Sequence, residues 1–320
     1  MIFGAVGVAR GMQMTQIISF EEGEKCLDWL SLTDALIEGH KRPKAQMKDM
    51  LLYQGDNTLL NRSAWIKGLG LAVKCATIFP ENSKQGQPTV GGAVNLFSNL
   101  NGSLEAVLDF HLVTKWKTAG DSLLGAKRLA RPDSRHILIM GAGTVGHSLY
   151  EAYSALFPQA EFSIWNRSLA NAEAFAKRHR GTKIVSSLAD AVNKADIITC
   201  ATMSAEAVLK GEWLRPGQHV DLIGAYRPDM READDEVLRR GRIFVDCRET
   251  TIEHIGELLI AISEGVIHES DIIADYYQME DMQRRDEDEI TIFKNGGGAH
   301  LDLMTSRFIL NAIKARAELS

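Results

Sequence analysis

Residues 135–168 contain a strand, a glycine-rich turn, a helix and a second strand in immediate succession. An apolar run, His136–Met140, stops at Gly141, a helical pattern covers Thr144–Leu156, and a second apolar run covers Glu161–Trp165. Such a unit needs a parallel sheet to join, and the right-handed crossover rule leaves few topologies for that sheet. This stretch therefore restricts the fold more than any other part of the sequence.

The turn in this unit carries three glycines in the spacing G-x-G-x-x-G. Gly141 permits a tight turn, Gly143 lets a pyrophosphate approach the backbone, and Gly146 lets the helix pack closely on the strand. Free N–H groups at the start of the helix would then donate to the phosphates. An ordinary strand-to-helix turn of another α/β sheet is the alternative. The predicted dinucleotide site consists of Gly141, Ala142, Gly143, Thr144, Val145 and Gly146.

The residues after the second strand indicate which dinucleotide binds. In NAD sites a carboxylate near this position bonds to the ribose hydroxyls, whereas a nearby arginine accommodates a 2′-phosphate. The sequence here is Asn166-Arg167-Ser168, so a guanidinium with two small polar neighbours replaces the carboxylate. We predict that these residues bind NADP(H) in preference to NAD(H). Ser168 is also a candidate N-cap for a helix beginning near Leu169, which would suit either cofactor.

The composition is typical of a cytoplasmic globular protein. A chain of 320 residues, 45% of them hydrophobic and 24% charged, is long enough for two domains and a substantial core. The net charge of −6 gives no support for nucleic-acid binding. No apolar run reaches the length of a membrane span, and Met1–Gln13 lacks the features of a signal peptide. The scattered cysteines, Cys26, Cys75, Cys200 and Cys247, predict reduced thiols, with neither a disulfide framework nor a metal site.

Strands and turns dominate the sequence before residue 110. We predict strands over residues 16–20, 50–53, 69–79, 90–96 and 104–110, and a helix over residues 20–39. The strand at 69–79 carries Lys74 among apolar neighbours. Because a lysine is seldom buried without a partner, Lys74 either reaches solvent or meets an anion. A helix over Leu112–Leu129 follows, and its Lys117 would face a gap between domains or lie on a solvated helix face.

From residue 136 to residue 245 strands alternate with helices, which predicts an α/β fold with a doubly wound parallel sheet of the Rossmann type. Ligands of such sheets bind at the carboxyl ends of the strands. We therefore predict that Thr202, Met203 and Ser204, together with Gly224–Arg227, line the nicotinamide end of the site. Gly297 lies in a glycine run before a final helix, and this run either approaches the cofactor closely or links back to the first domain.

Six segments together resemble the ornithine cyclodeaminase and mu-crystallin family. They are G-L-A-V-K-C-A-T around Lys74, K-T-A from Lys117, G-A-G-T-V-G, W-N-R-S, G-A-Y-R-P-D-M-R-E-A-D from Gly224, and T-I-F-K-N-G-G-G from Thr291. The resemblance covers most of the chain. It implies a Rossmann domain over residues 121–299 and a smaller α+β substrate-binding and dimerisation domain over residues 1–120, which the helix at 300–320 joins.

The resemblance also implies roles for individual residues. Lys74 matches the family lysine that contacts the carboxylate and the reacting region of the substrate, and it is the expected catalytic residue. Lys117 stands where the family usually has arginine, so a point charge replaces a bidentate fork. Members of the family have a further carboxylate-binding arginine upstream of the strand lysine. Arg42 and Lys44 are both candidates for that role.

Two departures separate this sequence from the cyclodeaminases of the family. Tyr226 stands where those enzymes place an aspartate that activates water or the amine, and Asn166-Arg167 replaces their acidic ribose-binding residue. Both departures favour the mu-crystallin-like ketimine reductases and the bacterial pyrroline-2-carboxylate reductases, which use an exchangeable reduced cofactor. Tyr226 would then line the substrate pocket.

We therefore predict a homodimeric NAD(P)H-dependent reductase that converts Δ1-pyrroline-2-carboxylate, or a related imino acid, to an L-amino acid such as proline. Lys74, Lys117 and either Arg42 or Lys44 would bind the substrate carboxylate, and Lys74 could hold a proton near the imine nitrogen. Cations at positions 42–48 and 115–117 could equally receive a second carboxylate, which would favour an open-chain imino diacid. The alternatives are an ornithine cyclodeaminase, an NAD(P)-dependent amino-acid dehydrogenase, and a non-catalytic, crystallin-like cofactor-binding protein.

Overall fold

The computed structural model of the protein describes residues 14–319. Met1–Gln13, for which no signal peptide is predicted, lies outside these residues. The described strands form two sheets, one of six strands and one of eight. They are β1 (Gln16–Ile18), β2 (Gln46–Gln54), β3 (Asn57–Ile66), β4 (Gly70–Ile78), β5 (Val90–Phe97), β6 (Leu104–Asp109), β7 (His136–Met140), β8 (Glu161–Trp165), β9 (Lys183–Ile184), β10 (Ile197–Cys200), β11 (His219–Leu222), β12 (Arg242–Val245), β13 (Ile272–Ala274) and β14 (Thr291–Lys294).

The α-helices connect and cover these sheets. They are α1 (Phe20–Glu24), α2 (Trp29–His40), α3 (Phe110–Leu129), α4 (Thr144–Leu156), α5 (Leu169–Arg178), α6 (Leu188–Lys194), α7 (Asp235–Arg240), α8 (Arg248–Thr251), α9 (Gly256–Ser263) and α10 (Ala299–Leu319). Between residues 14 and 319 no helix combines the length and the apolar composition that crossing a bilayer requires.

The six-stranded sheet has the order β1-β6-β5-β4-β3-β2. Strands β2 to β6 pair antiparallel in succession, and β1 joins β6 in parallel. Arg62 on β3 and Lys74 on β4 are direct cross-strand partners, so their side chains project from the same face of the sheet. Helices α3 and α10 pack against this sheet.

The eight-stranded sheet is parallel throughout and has the order β13-β12-β14-β11-β10-β7-β8-β9. From β7 the chain proceeds to β8 and β9 on one side and then returns to β10 on the other side. This reversal opens a crevice at the carboxyl ends of β7 and β10, where ligands of doubly wound sheets bind. The predicted α/β fold with a Rossmann-type sheet is confirmed. The predicted domain limits at residues 120 and 299 stay a prediction.

Both faces of the eight-stranded sheet are buried at its central strands. Along β7, Ile137 and Ile139 belong to one apolar core, whereas Leu138 and Met140 belong to another, as the alternation of side chains along a strand requires. The first of these cores continues into the six-stranded sheet, where it includes Leu96. The two sheets therefore pack around a common interior, which places β4 opposite the carboxyl ends of β7 and β10.

Two differences from the sequence expectation affect the site. The single helix predicted over residues 20–39 is divided into α1 and α2, because Asp28 has an extended backbone and its carboxylate caps α2 at the Ser31 N–H, 2.8 Å away. Strand β3 is absent from the prediction, since N-T-L-L-N-R-S-A-W-I mixes polar and apolar residues without clear alternation. It forms because β2 and β4 pair with it along its length. This second difference matters because β3 carries Arg62.

Candidate active site

The glycine loop between β7 and α4 has the geometry that its spacing predicts. Gly141 has a φ of 115°, which favours glycine. A Cβ on Gly146 would lie 2.1 Å from the Gly141 carbonyl oxygen, whereas a Cβ on Gly143 would meet no atom within 4 Å. No side chain caps the N-terminus of α4, so its first N–H groups can donate to an anion. The loop therefore fits a dinucleotide whose pyrophosphate lies over Gly143.

The three residues after β8 have different surroundings. Asn166 Oδ1 accepts from the Ala142 N–H at 3.0 Å, and Asn166 Nδ2 donates to the Ser168 carbonyl oxygen at 3.0 Å. Asn166 thus supports the glycine loop from behind. Arg167 and Ser168 are exposed, and Ser168 occupies the N-cap position of α5 without a side-chain capping bond. Both side chains can therefore contact a ligand.

A cleft of about 330 Å³ lies between the two sheets and reaches the glycine loop at Val145. Its volume is in the range of small-molecule sites. One wall is formed by the loops after β10, β11 and β14, and the other by β3, β4, α3 and the start of β5. Much of the second wall is apolar and consists of Leu60, Ala76, Ile78, Val90 and Phe110. Neither in this cleft nor elsewhere in residues 14–319 do three His, Cys, Asp or Glu side chains form a group that could bind a metal ion.

Three cations from different elements line this cleft. Arg62 and Lys74 are cross-strand neighbours on β3 and β4, and Lys117 projects from α3. Arg62 Nη1 and Lys117 Nζ both donate to the Gly297 carbonyl oxygen, at 2.9 and 2.8 Å. Like charges opposite each other on a sheet are destabilising unless a counter-charge offsets them. The arrangement is therefore suited to an anionic ligand.

Asp302 on α10 supplies a buried counter-charge. Its Oδ1 accepts from Lys74 Nζ at 2.9 Å, and the same ammonium donates to Thr114 Oγ1 at 2.8 Å. Burial acts to raise the pKa of Asp302, but Lys74, Lys117 and Arg62 together hold this pKa below its usual value. Asp302 is therefore ionised and keeps Lys74 in a fixed position.

Lys117 has the weakest compensation of the three cations. Burial lowers the pKa of Lys117 to about 8, with Lys74 and Arg62 acting in the same direction and Asp302 opposing them. Within residues 14–319 it forms no ion pair, and its ammonium is held by the Gly297 carbonyl oxygen. A carboxylate bound beside it would raise this pKa again.

Several predicted site residues meet in the cleft. Those that line it are Lys74, Lys117, Val145, Met203, Gly224, Tyr226 and Gly297. Thr202 and Ser204 belong to the same loop as Met203, but their hydroxyls donate to Glu232 Oε1 and to the Glu206 carbonyl oxygen. These two hydroxyls therefore fix the conformation of the loop on the side away from the cleft.

Arg42 and Lys44 lie elsewhere. Arg42 Nη1 donates to the Gly68 carbonyl oxygen at 2.8 Å, and Lys44 pairs with Glu249 at 2.7 Å. This pairing raises the pKa of Lys44. Neither side chain lines the cleft, so their placement gives no support to the expectation that one of them binds the substrate carboxylate. Arg62, in contrast, lines the cleft beside Lys74 and Lys117.

Sequence reasoning missed Arg62 and Asp302. Arg62 was hidden because β3 was not predicted, although the inward series Leu60, Arg62, Ala64, Ile66 gives a weak signal at strand spacing. Asp302 gives no local signal, because a single aspartate in the first turn of a helix is an ordinary residue there.

The family model described as the ornithine cyclodeaminase/mu-crystallin family matches residues 64–317. This range includes Lys74, Lys117, the glycine loop and Asp302. The chain belongs to this family. The predicted resemblance is therefore confirmed. Most residues that line the cleft lie within the matched range, and Leu60 and Arg62 precede it.

Individual relatives of this family member are similar along nearly its whole length. A Δ1-pyrroline-2-carboxylate reductase from Paracoccus denitrificans is 47% identical over 310 residues, which is 94% of this chain and 98% of the relative. The structure of the Thermococcus litoralis Δ1-pyrroline-2-carboxylate reductase in complex with NADH and L-proline has a TM-score of 0.84 at 26% identity, covering 95% and 98% of the two chains. An archaeal alanine dehydrogenase dimer with bound NAD has a TM-score of 0.85 at 28% identity, covering 95% and 97%.

Proposed function

We propose that the protein is an NAD(P)H-dependent imino-acid reductase that converts Δ1-pyrroline-2-carboxylate, or a closely related cyclic ketimine, to an L-amino acid. The observation that carries this proposal is the meeting of Arg62, Lys74 and Lys117 in a cleft that reaches the glycine loop. The similarity to two Δ1-pyrroline-2-carboxylate reductases supports it. Reduction adds a hydride to the imine carbon and a proton to the nitrogen, so the protein must hold the carboxylate and the carbon at a fixed distance from the nicotinamide.

The charges around the cleft favour a substrate with one carboxylate. Arg62 pairs with Asp49 and Lys74 pairs with Asp302, both at 2.9 Å. Lys117 has no such partner within the described part of the chain, which leaves one positive charge without an ion pair. A single substrate carboxylate compensates this charge, whereas a second one would need a further cation.

The remaining wall of the cleft favours a ring over a second acidic group. Ile78, Val90 and Phe110 offer an apolar surface for the methylene groups of a cyclic ketimine. Lys44 and Lys115, two of the cations that the sequence offers for a second carboxylate, contact glutamates outside this cleft. We therefore favour a cyclic ketimine over an open-chain imino diacid.

The three cations have different roles in this proposal. Arg62 and Lys117, both fixed by the Gly297 carbonyl oxygen, bind the carboxylate. Lys74, held by Asp302 and Thr114, contacts the reacting region and keeps a proton near the imine nitrogen. The loops after β10 and β11 would hold a reduced nicotinamide, which would provide the hydride when bound.

We further propose that NADPH is preferred to NADH. Arg167 and Ser168 are exposed at the carboxyl end of β8, where the adenosine ribose of a Rossmann ligand lies. A guanidinium there compensates a 2′-phosphate. Asn166 is uncharged and therefore does not repel that phosphate. Its amide oxygen accepts from the glycine loop instead.

A homodimer in the cytoplasm completes the proposal. On the face of the six-stranded sheet opposite Lys74, Met50, Leu52 and Trp65 are 49%, 54% and 51% exposed. An apolar patch of this kind is typical of a surface covered by another protein, and the similar archaeal alanine dehydrogenase is a dimer. The four free cysteines support a reducing compartment.

The test is the loss of reduced-nicotinamide absorbance with purified protein, Δ1-pyrroline-2-carboxylate, and NADPH or NADH in parallel. We expect rapid oxidation, faster with NADPH at limiting concentrations. Oxidation with NADH alone would retain the reductase and contradict the role of Arg167. Absence of turnover with either cofactor, for this substrate and its six-membered homologue, would contradict the reductase proposal.

An amino-acid dehydrogenase is the second candidate, because the archaeal alanine dehydrogenase is as similar in structure as the reductase. The apolar wall of the cleft suits a small side chain as well as a ring. Incubation of the protein with a 2-oxo acid, ammonia and NADPH separates the two functions. Turnover that depends on free ammonia and exceeds that with the cyclic imine would favour the dehydrogenase.

A further inference from the structure

The carboxylate of Glu232 joins two loops that line the cleft. This side chain is fully buried. Its Oε1 accepts from both the N–H and the hydroxyl of Thr202, each at 2.7 Å. Its Oε2 accepts from the N–H of Gly224 at 2.6 Å and from that of Ala225 at 3.3 Å. Four donors from two separate loops therefore converge on one carboxylate.

These two loops follow β10 and β11 at the carboxyl edge of the eight-stranded sheet. They present Met203, Ala225 and Tyr226 to the cleft. The loops also touch each other, since a Cβ on Gly224 would lie 1.9 Å from the Thr202 carbonyl oxygen. A change in the position of one loop must therefore displace the other, and the width of the cleft at this end changes with them.

Glu232 is in turn held from behind by a second buried carboxylate. Glu257 on α9 accepts from the N–H groups of Glu232 and Ala233 at 2.8 and 2.9 Å. Burial and the neighbouring Glu257 raise the pKa of Glu232, and Lys294 is the cation that opposes this effect. Burying two carboxylates near one lysine contributes little to stability compared with an apolar core of the same volume. The fold alone does not require this arrangement.

We propose that Glu232 is a positioning residue for the nicotinamide end of the cofactor. Its carboxylate sets the distance between the loop at 201–204 and the loop at 223–226, and so the width of the slot that receives the nicotinamide ring. It acts through Thr202, Gly224 and Ala225 and does not itself line the cleft. The proposal rests on the cofactor orientation proposed above, with the adenosine ribose near Arg167.

The experiment compares two ligands that differ only in the nicotinamide: NADPH and 2′-phospho-ADP-ribose. Dissociation constants are measured by calorimetric titration of the full-length protein and of Glu232→Gln, which keeps the size of the side chain but turns an NH2 group toward N–H donors. We expect NADPH to bind about ten-fold more weakly to the variant, since the NH2 group leaves one pair of these buried donors without an acceptor. The fragment should bind within about two-fold of wild type, because the glycine loop and Arg167 are unchanged.

Two further variants make the result specific. Glu236→Gln has the same change of charge four residues along the chain at an exposed position and should alter neither constant. Thr202→Val removes one of the four donors and leaves the loop backbones in place. It should weaken NADPH binding by about three-fold without affecting the fragment, and it provides the test if Glu232→Gln does not fold.

Equal weakening of both ligands in Glu232→Gln and Thr202→Val would overturn the positioning role, because it would indicate a general loss of structure. Unchanged NADPH binding in both variants would also overturn it. If the wild-type protein binds NADPH no better than the fragment, the proposed placement of the nicotinamide fails first, and the role of Glu232 falls with it.

Discussion

The cofactor side and the substrate side of the cleft are built in different ways. On the cofactor side the contacts are local and largely made by backbone, as where Asn166 bonds to the Ala142 N–H only 24 residues away. On the substrate side, Arg62 contacts Gly297 over 235 residues and Lys74 contacts Asp302 over 228 residues. Ligand binding by a loop of backbone donors depends on the conformation of that loop alone. The stability of a buried group of charges, in contrast, depends on every member of the group. Substitutions on the substrate side should therefore be strongly coupled, and those in the glycine loop of the cofactor side should not.

The largest expected effect is at Lys74. Lys74→Met alone leaves Asp302 as a buried carboxylate without its ion-pair partner, which costs about 3–5 kcal/mol of folding free energy. The double variant Lys74→Met with Asp302→Asn removes both charges and should unfold closer to the wild-type temperature. It should lose turnover by about 1000-fold, while calorimetry should show NADPH binding within about two-fold of wild type. Loss of cofactor binding in the folded double variant would break the separation of the two sides.

The next effect tests the backbone character of the cofactor side. Gly143 has an ordinary extended backbone and free space around its Cβ position, so Gly143→Val should fold normally. Its side chain would occupy the place of the pyrophosphate and weaken NADPH binding by about 100-fold, through lost bonds to a charged group. Gly146→Ala is the contrasting variant, because its Cβ would clash with the Gly141 carbonyl oxygen and lower the melting temperature. Equal melting temperatures for the two variants would contradict these assignments.

Arg62 provides the test of which cation on the substrate side binds the carboxylate. Arg62→Leu should raise the KM for Δ1-pyrroline-2-carboxylate by about 30-fold, since a charge-assisted contact to the carboxylate is lost, and leave the dissociation constant of NADPH unchanged. Arg42→Leu is the matched control and should change KM by less than about two-fold. A larger effect at Arg42 than at Arg62 would restore the upstream cation as the carboxylate ligand.

The smallest expected effect is at Arg167. Arg167→Ala should weaken the binding of NADPH by about ten-fold and leave that of NADH nearly unchanged, because in the proposed complex the guanidinium would contact only the 2′-phosphate. Arg180→Ala removes the same charge from another exposed position and controls for long-range attraction of the anionic cofactor. Similar losses in the two variants would indicate such attraction and not a specific contact.

The difference between the two sides also explains what could be predicted from sequence. The glycine loop was recognisable because turn, phosphate approach and helix packing are properties of consecutive residues, and the roles of Gly141, Gly143 and Gly146 correspond to their φ angles and Cβ environments. The parallel sheet followed from the regular alternation of strands and helices. Lys74 stood out because it is a charge inside an apolar strand.

Arg62 and Asp302 could not be found in the same way. The strand that carries Arg62 is formed by pairing with both neighbours, and its own sequence favours no strand strongly. The counter-charge of Lys74 comes from a helix that follows all the other elements, and no local pattern links residues so far apart. Arg42 and Lys44 were chosen by proximity in sequence, which does not determine position across a sheet of antiparallel strands.

Strand β14 and helix α10 have a consequence for the synthesis of the chain. Residues 291–319 follow every other described element, yet β14 lies between β11 and β12 inside one sheet, and α10 brings Asp302 against Lys74 on the other. A nascent chain that lacks these residues has a gap within the parallel sheet and an ammonium without its carboxylate. All strands of the six-stranded sheet precede residue 110, whereas the parallel sheet is completed only when β14 is inserted between β11 and β12. We therefore expect a chain shortened before residue 291 to be inactive.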